Sequence, residues 1–161
     1  MPTKRTAPSR PPSASPERIA LQFACAARGL PPARRLRALA RAAAGRDARI
    51  TLRVVGAAEG RALNRRFRGR DAATNVLAFD YAADPRHLAV RGDIVLCHPL
   101  VSREAREQKK PLADHYAHLV VHGALHLRGY DHGRAKDAAR MERREIRILR
   151  GFGVPDPYLV R

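Results

Sequence analysis

The segment that decides the fold is PLADHYAHLVVHGALHLRGYDH, residues 111–132. Pro111 suits the first turn of a helix, where the missing N–H of proline is not needed. Gly129 supplies the positive φ at which many helices end. The segment therefore predicts a long helix over 111–127, followed by a glycine turn.

Outward from this helix, strand and helix patterns alternate along the chain. Short apolar runs with β-branched residues predict strands, and runs bounded by proline or glycine predict helices. The predicted strands are 19–24, 49–55, 75–81 and 93–97, and the other predicted helices are 32–44, 57–67, 99–108 and 135–150. This order predicts the α+β class: a small mixed sheet of about four strands packed against about five helices, in a single domain.

The length of 161 residues and the 45% hydrophobic content fit one globular domain. Residues 1–16 contain five prolines and no acidic residue, which predicts a disordered basic tail before a domain at 17–161. No apolar signal region or membrane-spanning run is found, so we expect a cytoplasmic protein. With only Cys25 and Cys97, a disulfide framework and a cysteine-based zinc finger are excluded.

The net charge of +17 is unevenly distributed. Arginine supplies 28 of the 32 basic residues, which partly reflects the codon usage of a GC-rich genome. However, residues 1–70 carry a balance of +14 and residues 71–161 only +3. Codon usage alone does not explain this difference, so the basic half is expected to face a polyanion.

A metal-binding pattern lies at the end of the long helix. His122 and His126 are four residues apart and share one helical face, so both imidazoles can reach one ion. Gly129 lets the chain turn and bring back His132 as a third ligand. Three imidazoles leave the fourth zinc position for water, as in catalytic sites. Nickel or iron could use the same ligands.

Two further histidines, His115 and His118, share this helical face. His118 and His126 lie about 12 Å apart along the axis, too far to share one zinc ion. His118 with His122 stays open by spacing alone, but only His126 is followed by a glycine turn and another histidine. We therefore prefer His122, His126 and His132 as ligands, and interpret His115 and His118 as packed or supporting histidines. A coincidental histidine cluster is the alternative without function.

The same spacing occurs in zinc peptidases of the metzincin type. In those enzymes a glutamate follows the first histidine and acts as general base, whereas this chain has Gly123. Asp131 is the only carboxylate inside the motif, and it either orients a histidine or forms the loop. The general base is not identified, and a second water or Asp131 is a weak candidate. A phosphodiester substrate fits better, because zinc offsets charge on a phosphoryl oxygen and arginine holds phosphate with paired donors.

The histidine segment resembles that of the YbeY-type rRNA maturation factors, which are bacterial zinc-dependent endoribonucleases. Residues 122–132 carry the family signature H-G-x-L-H-L-x-G-Y-D-H without a mismatch. Further blocks follow the family order over about residues 50–158, namely 63–71 with 74–79, 92–95, and Met141, Glu142 and Glu145 with Gly151, Pro157 and Tyr158.

The resemblance implies a mixed sheet with surrounding helices and one zinc ion held by His122, His126 and His132. It implies cleavage of single-stranded RNA in 16S rRNA 3′-end maturation and ribosome quality control. The expected partners are rRNA, the small ribosomal subunit and its assembly proteins, with no membrane and no small-molecule cofactor. Arg68 matches the family's arginine near the metal and is assigned to the scissile phosphate. We add Arg65 and Arg66 as substrate-binding candidates.

Two positions depart from the family pattern. Ala78 stands where the family commonly has serine, and Asp80 where it commonly has proline. The missing hydroxyl weakens any role for that serine in substrate binding, but neither change affects the metal ligands. Two other functions remain open: a zinc metallopeptidase, and a non-catalytic ribosome-assembly factor with a structural metal.

Overall fold

The computed structural model describes residues 18–81, 89–130 and 133–159. Within these ranges the predicted α+β class is confirmed, with four strands and five helices. The elements are β1 Ile19–Phe23, α1 Ala33–Ala44, β2 Arg49–Val55, α2 Ala57–Arg68, β3 Val76–Asp80, β4 Arg91–Cys97, α3 His98–Glu107, α4 Leu112–Leu127 and α5 Ala135–Gly151. The predicted tail at 1–16, together with Asp131 and His132, lies outside the described residues.

The four strands form one mixed sheet in the order β1-β2-β4-β3. β1, β2 and β4 are parallel, and β3 pairs with β4 in the antiparallel direction. At Gly92 the backbone of β3 comes so close that a Cβ atom would collide with the carbonyl oxygen of Phe79. The glycine of the 92–95 block therefore allows β3 to sit at this edge of the sheet.

The long helix α4 is the centre of the molecule. It packs against the sheet and against α1, α3 and α5. Tyr116, Val120 and Leu125 are fully buried in its core-facing surface. Gly123 brings α4 close to β4, because a Cβ atom at this position would lie only 3.0 Å from Cγ2 of Ile94. A larger residue at position 123, such as the glutamate of the metzincin pattern, would require the side chain of Ile94 to shift by a few tenths of an ångström.

Glycines end α4 and α2 next to the histidine and arginine residues that the sequence analysis identified. Gly129 has a φ of 101° and turns the chain out of α4, as predicted. Gly69 has a φ of 69° and ends α2 directly after Arg68. None of the helices in the described ranges is long and apolar enough to span a membrane.

Candidate metal centre and cleft

Two histidine side chains of α4 converge on one point. The Nε2 atoms of His122 and His126 lie 3.2 Å apart. Two imidazole nitrogens bound to one tetrahedral zinc ion at 2.0–2.1 Å are separated by about 3.3 Å. The pair therefore has the spacing of two ligands on a single ion. His132, the predicted third ligand, lies outside the described residues.

A buried carboxylate fixes the orientation of the His122 ring. Glu145 of α5 is 0% exposed. Its Oε1 accepts a hydrogen bond from Nδ1 of His122 at 2.8 Å, and its Oε2 accepts from Nε2 of His118 at 2.6 Å. The hydroxyl of Tyr158 also donates to Oε2, at 2.8 Å. Because this network assigns the proton of His122 to Nδ1, the lone pair of its Nε2 is directed towards His126.

The ionisation of Glu145 agrees with this role. Burial by itself raises the pKa of Glu145, but hydrogen bonds from His118 and His122 and the charges of these residues lower it to about 2. An ionised carboxylate only accepts hydrogen bonds, so three donors suit it. Burial and the neighbouring Glu145 raise the pKa of Tyr158, so its hydroxyl stays a donor.

His118, His122 and Glu145 also form a candidate metal-binding group by themselves, with donor atoms within 4.8 Å of one another. The residues present thus offer the donors that a metal ion needs. The contacts of Glu145 to the two histidines, at 2.6 and 2.8 Å, are shorter than the spacing of about 3.3 Å between two ligands on one zinc ion. These contacts are hydrogen bonds, so we interpret Glu145 and His118 as supports of His122.

The site residues predicted from the sequence do not include Glu145, although Glu145 belongs to one of the blocks shared with the YbeY family. Met141, Glu145 and Leu149 follow one another at intervals of four, and all three are buried. A carboxylate in the apolar stripe of a helix needs a partner, since an isolated buried charge is costly. That pattern was a usable signal for a buried partner of the histidines.

His115 belongs to another network. It is buried, and its Nε2 lies 2.7 Å from Oε2 of Glu104. The amide of Asn75 donates to the same carboxylate at 3.1 Å. His115 therefore supports the loop before β3 through Glu104, which also binds Asn75. It does not take part in the pair formed by His122 and His126.

The converging histidines open onto a cleft of about 860 Å³. Its walls come from the end of α2, the loop at 69–75, β3 and α4. The lining residues are Asn64, Arg68, Arg70, 72–78, Asp80, His122, Gly123, His126 and Leu127. The structure thus brings His122, His126 and Arg68 to one cleft.

Arg68 is held at the edge of this cleft. Its guanidinium donates to the carbonyl oxygen of Ala78 at 2.9 Å and lies over the ring of Phe79, 5.8 Å from the centroid. The bond uses the backbone of residue 78, so alanine in place of serine leaves it unchanged. The guanidinium has five N–H donors, and those not directed at Ala78 can hold an anion in the cleft.

The structure does not bring Arg65 and Arg66 to the cleft. Both are exposed, and the guanidinium of Arg66 lies over the ring of Phe67 at 5.2 Å. Asn64 is the buried residue of this helical turn, and neighbours one or two positions later point elsewhere at 3.6 residues per turn. Arg70, beyond the glycine cap, lines the cleft instead.

The loop carrying Arg70 is fixed from two sides. The amide of the buried Asn64 donates to the carbonyl of Ala72 at 2.6 Å. Arg61 forms paired hydrogen bonds with Asp71 at 2.7 and 2.8 Å. The hydrogen bond from Arg61 lowers the pKa of Asp71. Contacts within the protein therefore hold this wall of the cleft in place.

The fold and the cleft define a protein with a histidine pair facing a groove that carries Arg68 and Arg70. Comparison with known proteins gives its family. A sequence model described as endoribonuclease YbeY matches residues 34–153. The chain therefore belongs to the endoribonuclease YbeY family, which confirms the resemblance seen in its motifs.

Relatives and a solved structure agree with this assignment. The endoribonuclease YbeY of Thiobacillus denitrificans is 52% identical over 141 residues, covering 88% of this chain and 95% of the relative. That of Nitrosomonas eutropha is 48% identical over 143 residues, covering 89% and 99%. The solution structure of a Thermotoga maritima protein shares the fold, with a TM-score of 0.52 at 23% identity, covering 88% of this chain and 99% of the other.

Proposed function

We propose that the protein is a metal-dependent endoribonuclease that cleaves single-stranded RNA in the cleft between α2, β3 and α4. One observation carries the proposal: the Nε2 atoms of His122 and His126 lie 3.2 Å apart in the same cleft as Arg68. Paired imidazoles suit a metal ion, and the arginine suits a phosphate. Family membership supports RNA as the substrate.

The metal would be held by His122 and His126, with His132 as the third ligand. Zinc is the ion that we propose, and nickel or iron would fit the same donors. When bound, zinc supplies a water that ionises near neutral pH and a positive charge beside the phosphoryl oxygen. Glu145 keeps the proton of His122 on Nδ1, so that Nε2 carries the lone pair that would bind the ion.

The other groups of the cleft bind and orient RNA. Arg68 holds the scissile phosphate, and Arg70 extends the positive wall along the loop. The general base is either a second water molecule or Asp131, and the attacking oxygen belongs either to water or to the 2′-hydroxyl of the RNA. The peptidase alternative loses support, because Gly123 packs against Ile94 where a catalytic glutamate would be required.

In the cell, we assign this activity to 16S rRNA 3′-end maturation and ribosome quality control in the cytoplasm. The proposed partners are rRNA, the small ribosomal subunit and its assembly proteins. The net charge of +17 supports a polyanionic partner. No small-molecule cofactor is required by this chemistry.

The test is metal analysis combined with RNA cleavage. His126→Ala should lose bound metal and cleavage together, and His132→Ala should behave in the same way. His118→Ala should keep the metal, because His118 acts only through Glu145. If His118→Ala loses the metal and His126→Ala keeps it, the ligand set is His118, His122 and Glu145 instead.

Three further results would contradict the function itself. Full cleavage by metal-free protein would exclude a metal-dependent mechanism. Hydrolysis of casein, with single-stranded RNA left intact, would favour the peptidase. Tight RNA binding by wild type without any cleavage would favour the assembly factor. An Arg68→Ala variant that binds RNA but does not cleave it, beside an active wild type, would instead count against the assembly factor.

A further inference from the structure

A second basic surface lies outside the cleft, on α5. Arg140, Arg143, Arg144 and Arg147 are spaced by three and four residues, so they share one face of the helix. Together with Tyr130 they line a cavity of about 180 Å³. We call these five residues the α5 arginine surface.

The charge of this surface is not balanced by its neighbours. Among the residues that the structure describes, no carboxylate forms an ion pair with any of the four arginines. Asp137 lines the adjoining cavity with Arg140, Glu142 is exposed, and Glu145 points into the core. Neighbouring like charges on a helix repel one another. An anion bound here would relieve that repulsion.

Two details of the α5 arginine surface point to a ligand. The Nε–H of Arg144 is buried and makes no hydrogen bond with any described residue. A buried donor without a partner is uncommon, and an anion bound at this surface would satisfy it. The guanidinium of Arg140 lies over the ring of Tyr130, 5.3 Å from its centroid. Such an arginine–aromatic pair presents a planar cation on which a nucleobase can stack.

The surface adjoins the cleft at the C-terminal end of α4. His126 and Leu127 line the cleft, while Arg128, Gly129 and Tyr130 line the next cavity, which shares Tyr130 and Arg140 with the α5 arginine surface. Four Cα–Cα steps separate His126 from Tyr130, so they are at most about 15 Å apart. A strand that leaves the cleft beside His126 can therefore reach Tyr130.

We propose that the α5 arginine surface is a second RNA-binding site, which holds the phosphates of the substrate strand outside the cleft. The inference rests on the proposed function for the identity of the strand. Planar arginine donors match phosphate, and the stacked Tyr130 favours a nucleic acid over an acidic protein. The surface determines how tightly a long substrate binds, while the cleft carries out the cleavage.

The test compares two matched double variants of the full chain. Arg143→Gln/Arg147→Gln removes two exposed charges from α5, and Arg103→Gln/Arg106→Gln removes two exposed charges from α3. Thermal unfolding establishes that both variants fold. Binding and cleavage are measured on an RNA long enough to span both sites and on a short oligonucleotide that fills only the cleft, at several salt concentrations.

For the long RNA, the α5 variant should raise Kd and KM by about tenfold with kcat unchanged. The slope of log K against log salt should become shallower by about 1.4, because each phosphate contact on a single strand contributes about 0.7. The short oligonucleotide should bind all three proteins equally. The α3 variant should stay close to wild type on both substrates.

Two results would overturn the proposal. An equal loss in the α3 variant would mean that only the overall charge matters. Unchanged RNA binding in the α5 variant, with loss of an acidic protein partner, would assign the surface to protein. Binding and cleavage are measured separately. Wild type that binds RNA without cleaving it would refute the proposed function. The binding data would still show whether the α5 arginine surface binds RNA.

Discussion

The two faces of α5 use ionisable side chains in opposite ways. On the inner face, Glu145 is fully buried and receives hydrogen bonds from His118, His122 and Tyr158. On the outer face, the adjacent Arg144 has a buried Nε–H without a partner among the described residues, and the other arginines form no ion pair there. The inner charge is satisfied by the protein itself, which makes it structural. The outer charges are available to a ligand.

The largest effect is expected for Glu145→Ala, which tests whether the buried charge on the inner face of α5 is structural. Removing the carboxylate leaves two histidines and a tyrosine without their buried acceptor, so the free energy of unfolding should fall by about 3–5 kcal/mol. Urea denaturation measures it. Glu142→Ala, an exposed change on the same helix, should stay within about 0.5 kcal/mol. Equal effects of the two changes would show that Glu145 is not a structural charge.

The isosteric change Glu145→Gln separates stability from site geometry. The amide can accept fewer hydrogen bonds from His122 and His118, so metal affinity should fall about 10- to 100-fold. Titration with zinc in a competing chelator measures this fall. An unchanged affinity would show that the ring of His122 is held by other contacts.

The next effect concerns Arg68→Lys. Lysine keeps the charge but loses the paired donors, so kcat on RNA should fall about 10- to 100-fold with a smaller change in KM. Arg66→Lys is the matched control, because Arg66 does not line the cleft. The α5 double variant should show the reverse pattern, a changed KM with kcat kept. Equal losses at positions 66 and 68 would contradict the assignment of the cleft.

Gly129 lies between His126 of the cleft and Tyr130 of the α5 arginine surface, at the turn that ends α4. Its substitution should therefore lower the stability of this turn. Gly129 has a φ of 101°, where alanine is strained although no atom lies within 4 Å of an added Cβ. Gly129→Ala should cost about 1–2 kcal/mol in thermal or urea unfolding. Gly151→Ala also meets no atom, and Gly151 has no positive φ, so this variant should be neutral or slightly stabilising. A harmless Gly129→Ala would mean that the turn has another conformation.

The smallest expected effect is that of Asp71→Asn. Arg61 lowers the pKa of Asp71 in the folded state, so the pair stabilises above the unfolded pKa near 4 and the effect is lost as the pH falls below it. The melting temperature of Asp71→Asn should lie slightly below that of wild type at pH 7, and the two should converge as the pH falls through the lowered pKa of Asp71 in the folded protein. Added salt should reduce the difference, because the pair is exposed. A gap that stays constant from pH 7 down to pH values at which Asp71 is protonated in the folded protein would refute the ion pair as its cause.

Most element boundaries were predictable, because proline and glycine mark them. Pro111 and Gly129 bracket α4, and Gly69 and Gly151 lie at the ends of α2 and α5. The largest shift is in β4, which begins at Arg91 instead of residue 93. Its first residues pair in register with Arg49 and Ile50 of β2, and pairing with a strand that is distant in the sequence is not visible in the local pattern.

The site was only partly predictable. The i, i+4 spacing gives the convergence of His122 and His126, because both lie on one helix. The choice between Arg66 and Arg70 depends on how α2 is rotated against the sheet, which the local sequence does not determine. The charge count over residues 71–161 hid the α5 arginine surface, since a sum over the sequence does not show that Glu145 of the same helix points into the core while the arginines share the outer face.

The hydrogen bond from Tyr158 has a consequence for gene variation. The residue is the fourth from the end of the sequence, yet its hydroxyl donates to the carboxylate that orients His122. A late stop codon or frameshift after residue 157 would leave every helix and strand complete. It would still remove one of the three described donors to Glu145, so the shortened product would fold with a less firmly oriented His122 ring.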